Sequence, residues 1–290
     1  MATLFSGKEV TAAMELDLSE RVQACLRAGV QPTLAVLRVG ENQNDLSYER
    51  GVMKRARAIG LRVVPFVFPE DVSQAELEEA IAQINADDSI HGCLMFRPLP
   101  AHLNEAALCD MLAVEKDVDG ISSASMAAVY SDAPWGFAPS TAAACIKILD
   151  HYGVELAGKR VVVLGRSLVV GKPVAMLTLA RNATPVICHS KTLDPAAYTR
   201  EADIVICATG RARAYGAEYF SAGQIVLDVG INFMDGKLCG DVDFEPVEAM
   251  VGAITPVPGG VGSVTSSITL EHTVKAAERV LRQTDQKLVN

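Results

Sequence analysis

The chain has 290 residues, more than a single hydrophobic core usually holds, so its length predicts two domains. Half of the residues are hydrophobic and 21% are charged, which is typical of a folded globular protein and excludes a disordered chain. The net charge of −9 and the lack of a basic cluster argue against nucleic acid as a partner, because binding phosphates needs several Lys or Arg side chains on one face.

The sequence also argues against a membrane or a metal. The start, MATLFSGKEV, has no basic segment followed by an apolar one, and no stretch reaches the roughly 18 apolar residues of a membrane span, so we expect a cytoplasmic protein. The seven cysteines are odd in number and widely spaced, which predicts reduced, buried thiols. No histidine stands at metal-ligand spacing from a Cys, Asp or Glu, so no metal site is expected.

The first part of the chain alternates between helical and strand-like apolar spacing. The predicted elements are helix 7–28, strand 32–40, helix 48–59, strand 61–68, helix 73–86 and strand 92–96. Strands separated by helices pair in parallel, so this part predicts a parallel α/β lobe.

A second alternation follows the loop 131–140. Its predicted elements are helix 141–151, strand 160–164, a helix from about 173 to 181, and strands 184–189, 204–208 and 225–229. A last helix, 266–283, comes after this sheet is complete, and we assign it to the first lobe. The sequence thus predicts an α/β protein of two lobes.

The turn after strand 160–164 has the features of a dinucleotide site. Four apolar β-formers run into Gly165-Arg166-Ser167, and Gly171 and Pro173 come just before a helix. The amino end of such a helix can receive a pyrophosphate. The full G-x-G-x-x-G pattern is missing, so an ordinary strand-to-helix turn is the competing interpretation.

The end of the next strand favours NADP over NAD. An NAD site places a carboxylate there for the ribose hydroxyls, whereas this strand ends in His189-Ser190-Lys191 and has no acidic residue before Asp194. A hydroxyl and a cation suit a 2′-phosphate, and the Arg166 guanidinium could bind the same phosphate through two parallel hydrogen bonds. The alternative is that both cations are solvated surface charges.

Several strings, in this order and spacing, match one family along nearly the whole chain. They are Lys116-Asp117-Val118-Asp119-Gly120, Gly165-Arg166-Ser167-x-x-Val170-Gly171-x-Pro173, Cys188-His189-Ser190-Lys191-Thr192, Asp228-Val229-Gly230-Ile231-Asn232, Gly240-Asp241-Val242-Asp243-Phe244 and Thr255-Pro256-Val257-Pro258-Gly259-Gly260-Val261-Gly262. Together they resemble the FolD family of bifunctional methylenetetrahydrofolate dehydrogenase/cyclohydrolases.

The resemblance implies a domain arrangement and partners. An N-terminal folate-binding lobe would span residues 1–138 and be joined by a C-terminal helix, 266–290. A Rossmann-like NADP-binding domain would span residues 139–265. The resemblance further implies tetrahydrofolate derivatives as substrates, a site between the lobes and a homodimer.

It also implies roles for individual residues. The cofactor would be held by Gly165, Arg166, Ser167, Ser190 and Ile231. Tyr48 would stack on or border the pterin, Asp119 would hydrogen-bond the aminopyrimidine, and the loop Pro258-Gly259-Gly260-Val261-Gly262 would close over the substrate. The alternatives are a plain glycine turn for the loop and a turn or helix-cap aspartate for Asp119.

The sequence departs from the family at positions that carry chemistry. The family's Tyr-x-x-x-Lys places Val52 at the lysine position, and its Val-Gln-Leu-Pro-Leu-Pro places Phe96 at the glutamine position. The family's Pro-Cys-Thr-Pro is Pro139-Ser140-Thr141-Ala142 here, and the Pro-Met after the glycine loop is Ser263-Val264.

The two family reactions do not need the same groups. Oxidation of the methylene bridge is a hydride transfer driven by the folate nitrogen lone pairs, so the enzyme mainly positions its reactants. Hydrolysis of the methenyl cation adds water and moves protons, which calls for a tuned acid or base. Val52 and Phe96 cannot provide one, Lys54 faces elsewhere on an ideal helix, and the always protonated Arg97 is a poor base that could instead bind a folate glutamate.

We therefore expect an NADP-dependent methylenetetrahydrofolate dehydrogenase whose cyclohydrolase activity is weak or absent. Three alternatives stay open at this point. They are an ordinary bifunctional enzyme with another base, a non-catalytic paralogue that binds folate or NADP, and a dehydrogenase for a modified pterin.

Overall fold

The computed structural model describes residues 1–234 and 236–289, apart from the side chains of Asn44 and residues 284–289. The chain forms two compact units. The first unit comprises residues 13–140 and 266–290, and the second comprises residues 1–12 and 141–265. Helices α1 (Gly7–Arg27) and α10 (Val261–Val289) each have residues in both units.

A three-stranded parallel sheet lies at the centre of the first unit, in the order β3-β2-β4. The elements of this unit are β2 (Thr33–Val39), α2 (Gln43–Ile59), β3 (Arg62–Phe68), α3 (Gln74–Ala86), β4 (Gly92–Met95), α4 (Glu105–Met111) and α5 (Ser123–Ser131). All seven residues of β2 are buried, because this apolar strand is central and covered on both faces. Ser73 and Glu76 form a capping box that starts α3.

The second unit contains a six-stranded sheet in the order β1-β11-β8-β7-β5-β6, in which every pairing is parallel. Its strands are β1 (Thr3–Leu4), β5 (Arg160–Leu164), β6 (Thr184–Cys188), β7 (Ile204–Cys207), β8 (Ile225–Asp228) and β11 (Ala253–Ile254). Its helices include α6 (Ser140–His151), α7 (Gly171–Ala180), α8 (Pro195–Arg200) and α9 (Phe244–Glu248). Strands β9 (Asn232–Met234) and β10 (Lys237–Cys239) pair antiparallel.

The strand order places a topological switch point in the second unit. The chain passes from β5 to β6 on one side and then crosses to β7 on the other side of β5. Ligands of open α/β sheets bind at the carboxyl ends of the strands where the order reverses. The segments that follow β5 and β7 are therefore the expected place for a ligand.

Most predicted elements are present, and the parallel pairing is confirmed. The first twelve residues are a correction to the predicted first lobe: they belong to the second unit, because β1 pairs with β11. Helix α10 begins at Val261, earlier than predicted, and the end of the predicted segment 266–290, Asn290, lies outside the described residues. All seven cysteines are free and buried, as expected.

Candidate functional site

The turn between β5 and α7 requires glycine at two positions. Gly165 has φ +122°, and a Cβ there would collide with the carbonyl oxygen of Ala208. A Cβ on Gly171 would collide with the carbonyl oxygen of Gly165. The backbone segments after β5 and β7 are thus in close contact at the switch point, a geometry that only glycine allows.

Ser167 closes the amino end of α7. Its Oγ accepts hydrogen bonds from the backbone N–H groups of Val170 at 3.1 Å and Gly171 at 3.3 Å. The hydroxyl proton of Ser167 is left to donate to a ligand. Because the helix dipole is positive at this end, the turn favours an anion.

A cavity of about 410 Å³ opens at this turn. It is lined by Leu164, Gly165, Arg166, Ser167, Cys188, His189, Ser190, Thr192, Pro195, Ala208, Thr209, Arg211, Tyr215 and Tyr219. The structure therefore brings together four of the five predicted cofactor residues, and Ile231 and Lys191 lie outside the lining. Arg166 and Arg211 are cationic, and none of these described lining residues is acidic. The cavity suits a ligand with phosphate groups.

Sequence reasoning missed the segment 209–211, which follows β7. The buried carboxylate of Asp241 holds it, accepting hydrogen bonds from the backbone N–H of Thr209 at 2.6 Å, Gly210 at 3.0 Å and Arg211 at 2.8 Å. The motif Gly240-Asp241-Val242-Asp243-Phe244 is visible in the sequence. The segment 209–211 lies about thirty positions before it, so the sequence does not show that the two are in contact. Asp241 thereby shapes one wall of the cavity.

A second buried aspartate, Asp228 at the end of β8, holds Asp241 in turn. One Asp228 oxygen accepts from the N–H groups of Gly230 at 3.0 Å and Asp241 at 2.9 Å, and the other accepts from Val242 at 2.9 Å. Burial raises the pKa of Asp228 to about 6, although the hydrogen bonds from these backbone N–H groups lower it. A Cβ on Gly240 would overlap this carboxylate, which explains that glycine.

The predicted substrate loop, 258–262, lies in the second unit. Gly259 has φ +104°, and its carbonyl oxygen accepts a hydrogen bond of 2.8 Å from the N–H of Gly7. A Cβ on Gly262 would lie 3.2 Å from Cδ1 of Ile231, a predicted cofactor residue that is 60% exposed. The structure thus places Ile231 beside this loop. Val261 and Gly262 are the first residues of α10, so the loop is more than a plain turn.

Two of the predicted folate residues, Tyr48 and Asp119, lie in the first unit. Tyr48 is on α2, with its ring edge-on to Phe96 at a centroid distance of 5.7 Å and an angle of 66°. The side chain of Thr269, on α10, lies near the Tyr48 hydroxyl. Tyr48 is 36% exposed as a residue, yet burial of its phenol oxygen raises the pKa of Tyr48, so the phenol is protonated at neutral pH. Val52, one turn along α2, is fully buried.

Asp119 is half-buried and lies near Ser140, which is buried. Burial raises the pKa of Asp119 to about 6, although Ser140 and Arg97 act in the opposite direction. The turn aspartate is Asp117. Its carboxylate accepts hydrogen bonds from the backbone N–H groups of Ile121 at 2.9 Å and Ser122 at 2.8 Å. Asp119 therefore keeps acceptor capacity for a ligand.

Two basic side chains of the first unit, Lys116 and His272, bond to backbone carbonyl oxygens, and a third, Lys54, lines a separate cavity. Lys116 donates from Nζ to the carbonyl oxygens of Ile84, Asn85 and Asp87, which end α3. Lys54 lines a separate cavity of about 390 Å³ together with Arg38, Leu46, Glu49, Arg50, Met53 and Arg57. Nδ1 of the buried His272 bonds the carbonyl of Val118 at 2.8 Å, and burial lowers the pKa of His272 to about 4. Arg97 lies 3.7 Å from Glu105.

The described residues hold neither a membrane-spanning helix nor a cluster of metal ligands. No helix among them is both long and apolar enough to cross a membrane. No group of three or more His, Cys, Asp or Glu residues in that part of the chain could hold a metal ion.

Comparison with known proteins identifies both halves of the chain. Residues 5–119 match the catalytic domain of tetrahydrofolate dehydrogenase/cyclohydrolase, and residues 139–281 match the NAD(P)-binding domain of the same family. The bifunctional protein FolD of Carboxydothermus hydrogenoformans is 48% identical over 281 residues, which cover 96% of this chain and 98% of that protein.

Solved structures agree with this assignment. The bifunctional FolD of Campylobacter jejuni has a TM-score of 0.93 and 38% identity, covering 96% of this chain and 99% of that one. The Trypanosoma brucei FolD, solved with NADP cofactor and an inhibitor, has a TM-score of 0.90 and 33% identity, covering 97% and 99%. The chain therefore belongs to the tetrahydrofolate dehydrogenase/cyclohydrolase family.

Proposed function

We propose that this protein oxidises 5,10-methylenetetrahydrofolate to 5,10-methenyltetrahydrofolate with NADP. The family assignment supports the reaction. The cavity at the β5–α7 turn supports NADP, because its described lining carries Arg166 and Arg211 and no carboxylate for a free ribose. Gly165, Ser167 and Ser190 would hold the phosphates and ribose, and Ile231 would border the cofactor near the loop 258–262. The bound nicotinamide supplies the hydride acceptor.

The residues of the first unit would bind and orient the folate. The exposed ring of Tyr48 offers a face for the pterin or its neighbouring ring, and Asp119 can accept hydrogen bonds from the aminopyrimidine N–H groups. No proton has to leave the substrate in the hydride transfer, so orientation by these two residues is sufficient for the oxidation.

We further propose that methenyl hydrolysis is weak or absent. The identities of Val52 and Phe96 carry this proposal. Val52 is fully buried and Phe96 packs against Tyr48. Neither side chain can transfer a proton. The cations that act on Tyr48 and Asp119 are Arg55 and Arg97, and guanidinium groups are poor bases.

An ordinary bifunctional enzyme is the second candidate. Relatives such as the Carboxydothermus protein are named bifunctional. Asp119, with a pKa of about 6, is a group whose proton affinity suits acid-base work near neutral pH. In that case Asp119 would act as the acid or base in place of the family's lysine, whose position is occupied by Val52 here.

One assay separates these readings. Purified protein is mixed with methylenetetrahydrofolate and NADP, and NADPH and methenyl absorbance are followed together. Accumulating methenyl product supports the proposal, its prompt decay supports the bifunctional enzyme, and no NADPH at all contradicts both and favours a binding protein or another pterin. Replacing NADP by NAD tests the cofactor, since a preference for NAD would contradict the assignment.

We propose a homodimer and a cytoplasmic location as part of the same assignment. Light scattering of the purified full chain measures its mass in solution. A mass equal to one chain of 30.8 kDa would contradict the dimer.

A further inference from the structure

The buried carboxylate of Asp241 joins two segments of the second unit that are separate in the sequence. Its Oδ2 accepts hydrogen bonds from the backbone N–H groups of Thr209 at 2.6 Å and Gly210 at 3.0 Å and from the Thr209 hydroxyl at 3.0 Å. Its Oδ1 accepts from the backbone N–H of Arg211 at 2.8 Å and from the side-chain amide of Asn232, on β9, at 3.0 Å. The segment after β7 and the start of β9 are therefore tied to one side chain.

Each of these segments carries a side chain that can meet the cofactor. Arg211 is exposed and lines the cavity at the β5–α7 turn. Ile231 directly precedes Asn232, is 60% exposed and lies beside the loop 258–262. Asp241 thus connects a cation of the cavity lining to a predicted cofactor residue.

The backbone on the other side of Ile231 is also fixed by a buried carboxylate. Asp228 accepts hydrogen bonds from the backbone N–H groups of Gly230 at 3.0 Å and of Asp241 at 2.9 Å. A Cβ on Gly230 would collide with the Asp241 carboxylate, so the chain passes directly against it. The residues before and after Ile231 are both held in this way, while its own side chain stays exposed.

The join depends on a carboxylate, because both of its oxygens accept hydrogen bonds. Asp241 is 0% exposed, and its donors approach Oδ1 and Oδ2 alike. An amide of the same shape has one accepting oxygen and one donating nitrogen, so it cannot satisfy the donors at both positions. At one position an N–H donor would face the amide NH2 group, and an unpaired donor is costly in a buried site.

We propose that Asp241 is a positioning residue for the dehydrogenase, which holds Arg211 and Ile231 at a fixed separation so that both contact one cofactor molecule. The inference rests on the proposed function for the identity of the cofactor. It goes beyond that function by assigning a role to a buried side chain that does not itself touch NADP.

The first test uses Asp241→Asn, which keeps the size of the side chain and removes one acceptor oxygen. The dissociation constant of NADP is measured by calorimetry on the full chain, at a temperature where circular dichroism shows that the variant is folded. Loss of the alignment should raise this constant about tenfold or more. The proposal is overturned if the folded variant binds NADP like the parent.

Gln224→Leu is the matched control. Gln224 is also buried, just before β8 and at the end opposite to Asp228, and it donates to the backbone carbonyl oxygens of Thr199 at 2.6 Å and Ala202 at 2.7 Å. The variant should lower the unfolding free energy but leave the dissociation constant of NADP within about twofold of the parent. Equal increases in Gln224→Leu and Asp241→Asn would overturn the proposal, since a general loosening of the second unit would then explain both.

A double-mutant cycle distinguishes positioning from a purely structural role. Arg211→Ala should raise the dissociation constant of NADP about tenfold in the parent, because it removes a charged partner of the phosphates. In Asp241→Asn the same substitution should raise it less than about threefold, because Arg211 is already displaced there. Independent effects would multiply, and that result would overturn the coupling. Parent-like binding by Arg211→Ala would overturn it as well.

Asn232→Ala decides the question if Asp241→Asn does not fold. Asn232 is half-buried, and its substitution leaves the hydrogen bonds between Asp241 and the segment after β7 in place. Loss of this one hydrogen bond should raise the dissociation constant of NADP about threefold to tenfold. An unchanged constant would show that the join between the two segments does not serve the cofactor, which overturns the proposal.

Binding and turnover separate this inference from the proposed function. If the parent binds NADP but forms no NADPH from methylenetetrahydrofolate, the proposed dehydrogenase activity is wrong, and the dissociation constants still decide the role of Asp241. If the parent binds no NADP, the positioning role is overturned as well.

Discussion

Replacing both Val52 by lysine and Phe96 by glutamine should create methenyltetrahydrofolate hydrolysis. The double variant restores the amine and amide that the family has at these positions, beside the ring of Tyr48. A positioned general base typically accelerates such a step by about 100-fold or more. We expect the decay of methenyl absorbance to accelerate by about that factor over the parent protein.

The cost in stability follows from burial. Val52 is 0% exposed, so the ammonium of Val52→Lys would be desolvated and its pKa lowered. A downward shift of about 3 units costs about 4 kcal/mol of unfolding free energy at pH values below the folded pKa. That cost disappears above the unfolded pKa of about 10.4, so the variant should gain stability relative to the parent as pH rises. Urea unfolding at several pH values measures this difference.

Met53→Lys is the control for the gain of hydrolysis. Met53 neighbours Val52 on α2 but lines the separate cavity that also contains Lys54. A lysine there should add no hydrolysis. The reasoning is refuted if the double variant folds, retains dehydrogenase activity and hydrolyses methenyltetrahydrofolate no faster than the parent or than Met53→Lys.

Three further predictions concern the cofactor cavity and pH. Arg166→Ala should raise the KM for NADP about 10-fold to 100-fold and leave the KM for NAD nearly unchanged, because only the binding of NADP loses a charged pair. Steady-state kinetics with each cofactor measures both constants. An equal increase in the KM for NADP in Lys191→Ala would contradict the prediction. Asp241→Ala should lower the unfolding free energy by about 3 kcal/mol or more, because the backbone N–H groups of the segment 209–211 lose their acceptor. Urea titration measures this loss. A loss below about 1 kcal/mol would show that the segment does not depend on Asp241. Burial lowers the pKa of His272 to about 4, so the unfolded chain binds a proton at a higher pH than the folded one. The unfolding free energy should therefore fall by about 3 kcal/mol as pH falls from about 6.5 to about 4. The unfolding free energy of His272→Gln should not show this decrease.

The sequence by itself determined the features that depend on local backbone chemistry. The apolar runs of β2 and β5 predicted buried parallel strands, because such runs satisfy a sheet covered on both faces. The glycines at 165 and 171 predicted a tight turn, because no other residue fits the backbone there. The identities of Val52 and Phe96 were enough to question the hydrolytic step, since neither side chain holds a transferable proton.

Only the tertiary structure decided which distant side chains meet. Ser140 and Thr269 are 129 positions apart in the sequence, and only the fold of the first unit brings their hydroxyl groups to within 3.0 Å of each other. Asp241 reaches the segment 209–211 only because β7 and β8 are neighbours in the second sheet. Periodicity and turn residues specify elements, but hydrogen bonds between elements depend on packing geometry. For that reason the contact between Ser140 and Thr269 is visible in the fold and not in the sequence.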